Sequence, residues 1–91
     1  MAYSIEFTPA AERQLKALPK PIQTQIVRRI DTLHHNPRPD GVKKLKDTEG
    51  LYYRVRQGDY RILYTVQDKK LMIIIVKVAD RKEVYRRLPR M

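Results

Sequence analysis

The run LMIIIVKV at residues 71–78 constrains this chain more than any other stretch. Its apolar residues are nearly unbroken and largely β-branched, the composition of a central strand covered on both faces. It is too short to cross a membrane as a helix. A chain of 91 residues has room for one core around such a strand, so residues 1–91 read as a single domain.

The cover for that strand can be read from the rest of the chain. Tyr3, Ile5 and Phe7 alternate with Ser4 and Glu6, the pattern of a half-buried first strand. Thr8-Pro9 then supplies an N-cap and a residue suited to the first helical turn. Ala11, Leu15 and Leu18 fall on one face of the helix that follows, with Glu12, Arg13 and Lys16 on the other. Pro19 and Pro21 separate it from a second helix, expected over residues 21–35, with Ile22, Ile26, Ile30 and Leu33 in a stripe. The breaker-rich NPRPDG at residues 36–41 ends this helical half. Residues 43–46 read as a short strand or extended lead-in, and 47–50 as a turn. The predicted class is therefore α+β: an N-terminal strand and α-hairpin packed on a mainly antiparallel sheet of about four strands, with a short C-terminal helix over residues 81–88.

The stretch LYYRVRQGDYRILY at residues 51–64 reads as a β-hairpin about Gln57-Gly58-Asp59. Period-two alternation puts Tyr52, Arg54 and Arg56 on one face, against Leu51, Tyr53 and Val55, and Arg61 joins the cationic set from across the turn. After the turn, Ile62, Tyr64 and Val66 alternate with Arg61, Leu63 and Thr65. Arginines on a sheet face left open by the helices make a candidate phosphate-binding surface. The charge agrees: 20 Lys and Arg against 10 Asp and Glu give a net +10, an excess that favours a polyanionic partner. With no cysteine in the chain, disulfide, thiolate and zinc-cysteine chemistry are excluded. No signal-peptide pattern is present at the N-terminus, and a cytoplasmic location is expected.

Taken together, AAERQLKAL, the proline-glycine break, YRVR at residues 53–56, GDYRILY at 58–64 and ADRKEVY at 79–85 resemble the RelE/ParE toxin superfamily, and specifically its RelE-like branch. The resemblance spans nearly the whole chain. It implies the toxin of a type II toxin-antitoxin system, neutralised by a cognate antitoxin. The implied activity is a metal- and cofactor-independent endoribonuclease that cleaves mRNA in the A site of the small ribosomal subunit, by attack of a ribose 2′-hydroxyl on the adjacent phosphate. Such a reaction needs an acceptor for the 2′-hydroxyl proton, cations for the charge that builds on phosphorus, and a proton for the 5′-oxygen. Matched to the family motif, the implied catalytic set is Arg54, Arg56, Arg61, Arg81 and Tyr85. Arg61 and Arg81 carry transition-state charge, and Tyr85 stacks on or orients the nucleotide. Tyr52, Lys43, Lys44 and Lys46 are the expected RNA-binding residues.

The family's best-known pattern has lysines where this chain has Arg54 and Arg56. An arginine side chain, with a pKa above about 12, keeps its proton where a buried lysine can lose it. The proton acceptor is therefore open between an electrostatic-only role for Arg56 and a base among Lys43, Lys44, Lys46 and Glu49. Two other functions compete: a ParE-like toxin that inhibits gyrase, and a basic RNA-binding module without turnover. His34-His35 is read as the end of the second helix, where positive charge suits the helix dipole, in preference to a metal pair. Lys20, Arg28 and Arg29 are read as a solvated helix face.

Overall fold

The computed structural model describes residues 2–39, 42–45 and 52–84. The elements run β1 (Ser4–Phe7), α1 (Pro9–Lys16), α2 (Lys20–Asp31), β2 (Lys43–Lys44), β3 (Tyr53–Gln57), β4 (Tyr60–Gln67) and β5 (Met72–Asp80). Among the described residues they form a five-stranded sheet in the order β1-β5-β4-β3-β2. Every neighbouring pair is antiparallel except β1 and β5, which are parallel. The α+β class is as expected, with one strand more than the predicted four. The fifth is the two-residue β2, which falls within residues 43–46, read from the sequence as a short strand or extended lead-in.

The local signals act where the sequence puts them. The Thr8 hydroxyl oxygen accepts from the Ala11 N–H at 3.1 Å and caps α1, with Pro9 in the first helical turn. Gly58 takes a φ of 59°, the sole positive φ in the two-residue connection between β3 and β4, as a type II′ hairpin turn requires. A β-carbon there would meet nothing within 4 Å, so the demand for glycine is one of backbone conformation alone.

Both helices cover one sheet face. Ala11, Ile26, Ile30 and Leu33 bury against Val55, Ile62, Tyr64, Ile73, Ile75 and Val78, with Leu15, Leu18 and Ile22 packed around them. On the opposite face a smaller cluster joins Tyr52, Leu63, Val76 and Val84, flanked by Leu45, Ile74 and Ala79. The 71–78 run is thus covered on both faces, as expected, and β5 lies inside the sheet between β1 and β4.

The loop that follows α2 is clasped to the strands. The Arg38 guanidinium donates to both carboxylate oxygens of Asp68, at 3.2 and 2.8 Å, and to the Tyr53 hydroxyl at 3.0 Å. It also lies 5.2 Å from the centre of the Tyr53 ring, which stacks on Tyr64. Tyr3 donates to the same carboxylate at 2.7 Å, and Tyr64 donates to the Pro37 carbonyl at 2.7 Å. His34 Nδ1 lies 2.6 Å from the Tyr3 carbonyl oxygen, a bond that ties the helix end to the start of β1.

A candidate nucleic-acid interface

Cross-strand partners lie on the same face of a sheet, so the register alone assembles a cationic surface on the side away from the helices. Lys43 on β2 pairs with Arg54 on β3, Arg54 pairs with Leu63 on β4, and Leu63 pairs with Lys77 on β5. The next row is Arg56, Arg61 and Ala79. Lys43 against Arg54 and Arg56 against Arg61 are like charges set directly opposite, an arrangement that destabilises a sheet. The two pairs side by side concentrate positive charge at this end of the sheet.

Arg81 joins this end of the sheet through its backbone. Its N–H donates to the Asp59 carbonyl at 2.9 Å, which fastens the residues after β5 to the hairpin turn, and its side chain is exposed. Asp80 caps the same segment: one carboxylate oxygen accepts from the N–H groups of Lys82 at 2.9 Å and Glu83 at 2.8 Å. Residues 81–84 form a turn where the C-terminal helix was expected over residues 81–88, and residues 85–88 lie outside the described residues.

The family of the chain follows from comparison with known proteins. Residues 5–85 match the family model for the ParE toxin of type II toxin-antitoxin systems, parDE. The chain belongs to this family. Within the wider RelE/ParE superfamily the toxin is 32% identical to Toxin RelG of Mycobacterium tuberculosis, over 96% of this chain and 100% of that one. It is 34% identical to Toxin RelE of the same organism, over 96% and 90% of the two chains. It is also 27% identical to the mRNA interferase toxin RelE of Escherichia coli, over 93% and 92%. Among solved structures, the toxin-antitoxin complex RelBE2 of M. tuberculosis matches with a TM-score of 0.79 at 29% identity, covering 89% of this toxin and 93% of that chain. The RelE-RelB complex of Pyrococcus horikoshii matches at 0.77 and 34% identity, covering 89% and 97%.

The structure treats the expected site residues of the toxin differently from one another. Arg54 and Arg56 share the open face, Arg54 partly buried and Arg56 exposed, and exposed Lys43 on β2 joins them, whereas Lys44, expected to bind RNA as well, pairs with Tyr53 and so stands on the helix side of the sheet. Arg61 is only 8% exposed, and one guanidinium nitrogen donates to the Gly58 and Tyr60 carbonyls at 3.0 Å each, so it braces the hairpin turn. Tyr52 corrects the sequence reading. Its ring is 1% exposed inside the apolar cluster, because Leu63, Val76 and Val84 fill the same face, and that ring is not presented for base stacking. Burial also raises the pKa of its hydroxyl. Lys46, Glu49 and Tyr85 lie outside the described residues.

Sequence reasoning passed over Lys77, which sits in an apolar run, and the one available signal was its charge within that run. A groove of about 480 Å³ lies elsewhere, between β1 and α1. Glu6 and Glu12 line it with Ile5, Phe7, Leu15 and Lys16, and those carboxylates make it a poor seat for a polyanion. Among the described residues no helix is long and apolar enough to cross a membrane.

Proposed function

We propose that this toxin is an endoribonuclease that cleaves mRNA at the ribosomal A site, and that a cognate antitoxin holds it inactive. The observation that carries the reading is the pair of opposed like-charge rows on the open sheet face, Lys43 with Arg54 and Arg56 with Arg61, in a chain of net charge +10. Similarity to an E. coli protein named as an mRNA interferase supports the same chemistry. In the reaction the ribose 2′-oxygen attacks the adjacent phosphorus and loses its proton to a base. The bond from phosphorus to the 5′-oxygen then breaks as that oxygen takes a proton from a general acid or water, leaving a 2′,3′-cyclic phosphate and a free 5′-hydroxyl.

Arg56 and Arg81, both exposed, are assigned to the phosphate oxygens, where preorganised cations stabilise the charge that develops in the transition state. Arg54 adds positive potential from beside them. Arg61, held on the turn carbonyls, sets the shape of the hairpin and contributes field more than contact. Tyr85 orients the nucleotide, and Lys43 and Lys46 hold the flanking RNA. The base is sought among the lysines and Glu49, because arginine is suited to charge stabilisation and poorly suited to proton abstraction. Similar chains are solved in RelBE toxin-antitoxin complexes, and the antitoxin of this toxin is expected to cover the cationic face with an acidic or helical segment.

Primer-extension mapping of mRNA ends after brief expression tests the assignment. Wild type produces new ends within translated reading frames, and Arg56→Ala and Arg81→Ala each reduce them at least tenfold while the purified variants stay folded. Undiminished ends in the Arg56→Ala/Arg81→Ala double variant would overturn the site. The family model's ParE description favours a second reading, inhibition of DNA gyrase. Gyrase-trapped DNA breaks with intact mRNA would establish it in place of the first.

A further inference from the structure

The register of β5 against β4 shifts between Leu63 and Tyr64: Leu63 pairs with Lys77, Tyr64 pairs with Ile75, and Val76 is the extra residue. Strict alternation from Ile73 and Ile75 would carry position 77 into the core beneath the helices. Instead Val78 takes the core position, and Lys77 falls opposite Leu63 on the cationic face, half-buried. A β-bulge re-aims a side chain in this way and is common beside functional sites. Helix α1 braces it, since the Val78 N–H donates to Gln14 Oε1 at 2.8 Å and the Thr8 N–H donates to the Ile75 carbonyl at 3.0 Å.

We propose that Lys77, delivered to the open face by the β5 bulge, binds a backbone phosphate of single-stranded RNA. The inference rests on the reading of this face as an RNA surface and names a contact that the family motif does not supply. Lys77 stands two strands from Arg54, about 10 Å away at the usual strand spacing, and in the same row as Lys43 and Arg54. That row crosses β2, β3, β4 and β5, with Leu63 between Arg54 and Lys77, so Lys77 extends the cationic face beyond the hairpin toward the interior of the sheet. A half-buried lysine lays its methylene stem along apolar surface and keeps its ammonium at the water boundary, where a phosphate can reach it.

The test is fluorescence anisotropy of a labelled single-stranded uridine oligonucleotide bound to the purified protein over a series of KCl concentrations. Wild type, Lys77→Gln, Lys77→Arg and Lys69→Gln are compared. Lys69 is exposed in the turn between β4 and β5, so its loss removes the same charge from outside the cationic face. One lost phosphate contact lowers the slope of log Kd against log salt by about 0.7. That decrease is expected for Lys77→Gln, with the slope restored in Lys77→Arg and unchanged in Lys69→Gln. A slope for Lys77→Gln equal to that of wild type, with RNA still bound, overturns the Lys77 assignment and leaves the RNA surface standing. Absence of RNA binding by wild type overturns both. A second measurement needs no variant. RNA should slow acetylation of Lys77 by acetic anhydride several-fold in the wild-type protein while Lys69 reacts as before, and equal rates with and without RNA overturn the proposal.

Discussion

Thr65 shows that one residue type in a strand can be set by something other than stability. On β4 it pairs with Ile74 of β5, is 6% exposed, and its hydroxyl oxygen makes no hydrogen bond among the described residues. A buried hydroxyl without a partner costs free energy that an isosteric methyl group does not. Thr65→Val should therefore raise stability by on the order of 1 kcal/mol in urea denaturation, and a decrease would show that the hydroxyl is bonded in solution. Arg61 presents the same lesson in reverse. Its charge and its place after the turn mark it for phosphate, yet its guanidinium is occupied by the carbonyls of Gly58 and Tyr60. Arginine serves both ends with the same atoms, and sequence does not say which acceptor its donors will find.

Among the elements, the segment after β5 is capped by Asp80. Asp80 accepts from two N–H groups of the following turn, while the Val84 N–H donates to the Asp80 carbonyl at 3.0 Å. Asp80→Ala should cost about 1 kcal/mol and Asp80→Asn much less, because asparagine caps nearly as well. Equal losses in thermal denaturation would show that the charge matters more than the cap. If Arg81 acts on phosphate, the Asp80→Ala variant should also cleave more slowly. Much of this architecture was legible beforehand. Alternation marked β3 and β4, Thr8-Pro9 marked the start of α1, and the isoleucine stripe marked α2. The β5 bulge was not, because an extra residue within an apolar run leaves the run apolar. Nor was the burial of Tyr52, which depends on Val84 arriving from the far end of the chain. The convergence of Lys43, Arg54 and Lys77 depends on pairings between distant segments, which no local pattern encodes.

For the whole molecule, the clasp of Arg38, Asp68 and Tyr3 links the helical layer to the sheet and brings a pH dependence. Hydrogen bonds from Arg38 and then Tyr3 hold the Asp68 carboxyl down to a pKa of about 2. A folded-state pKa below the unfolded value contributes stability that is present above about pH 4 and is lost as pH falls toward 2. Asp68→Asn should flatten the fall in Tm between those limits, and a Tm profile parallel to that of wild type would remove Asp68 from the acid response. The carboxylate is exposed, so the effect should also weaken in high salt. The parallel pairing of β1 with β5 has a consequence in time. Ser4 to Phe7 take their sheet partners from Met72 to Ile75, nearly seventy residues later in the chain. During synthesis the first strand and both helices therefore exist before the surface they must cover, and contacts of such long range are slow to form. A newly made chain cannot assemble its complete cationic face until β5 has emerged, so that face is absent for most of the chain's own translation.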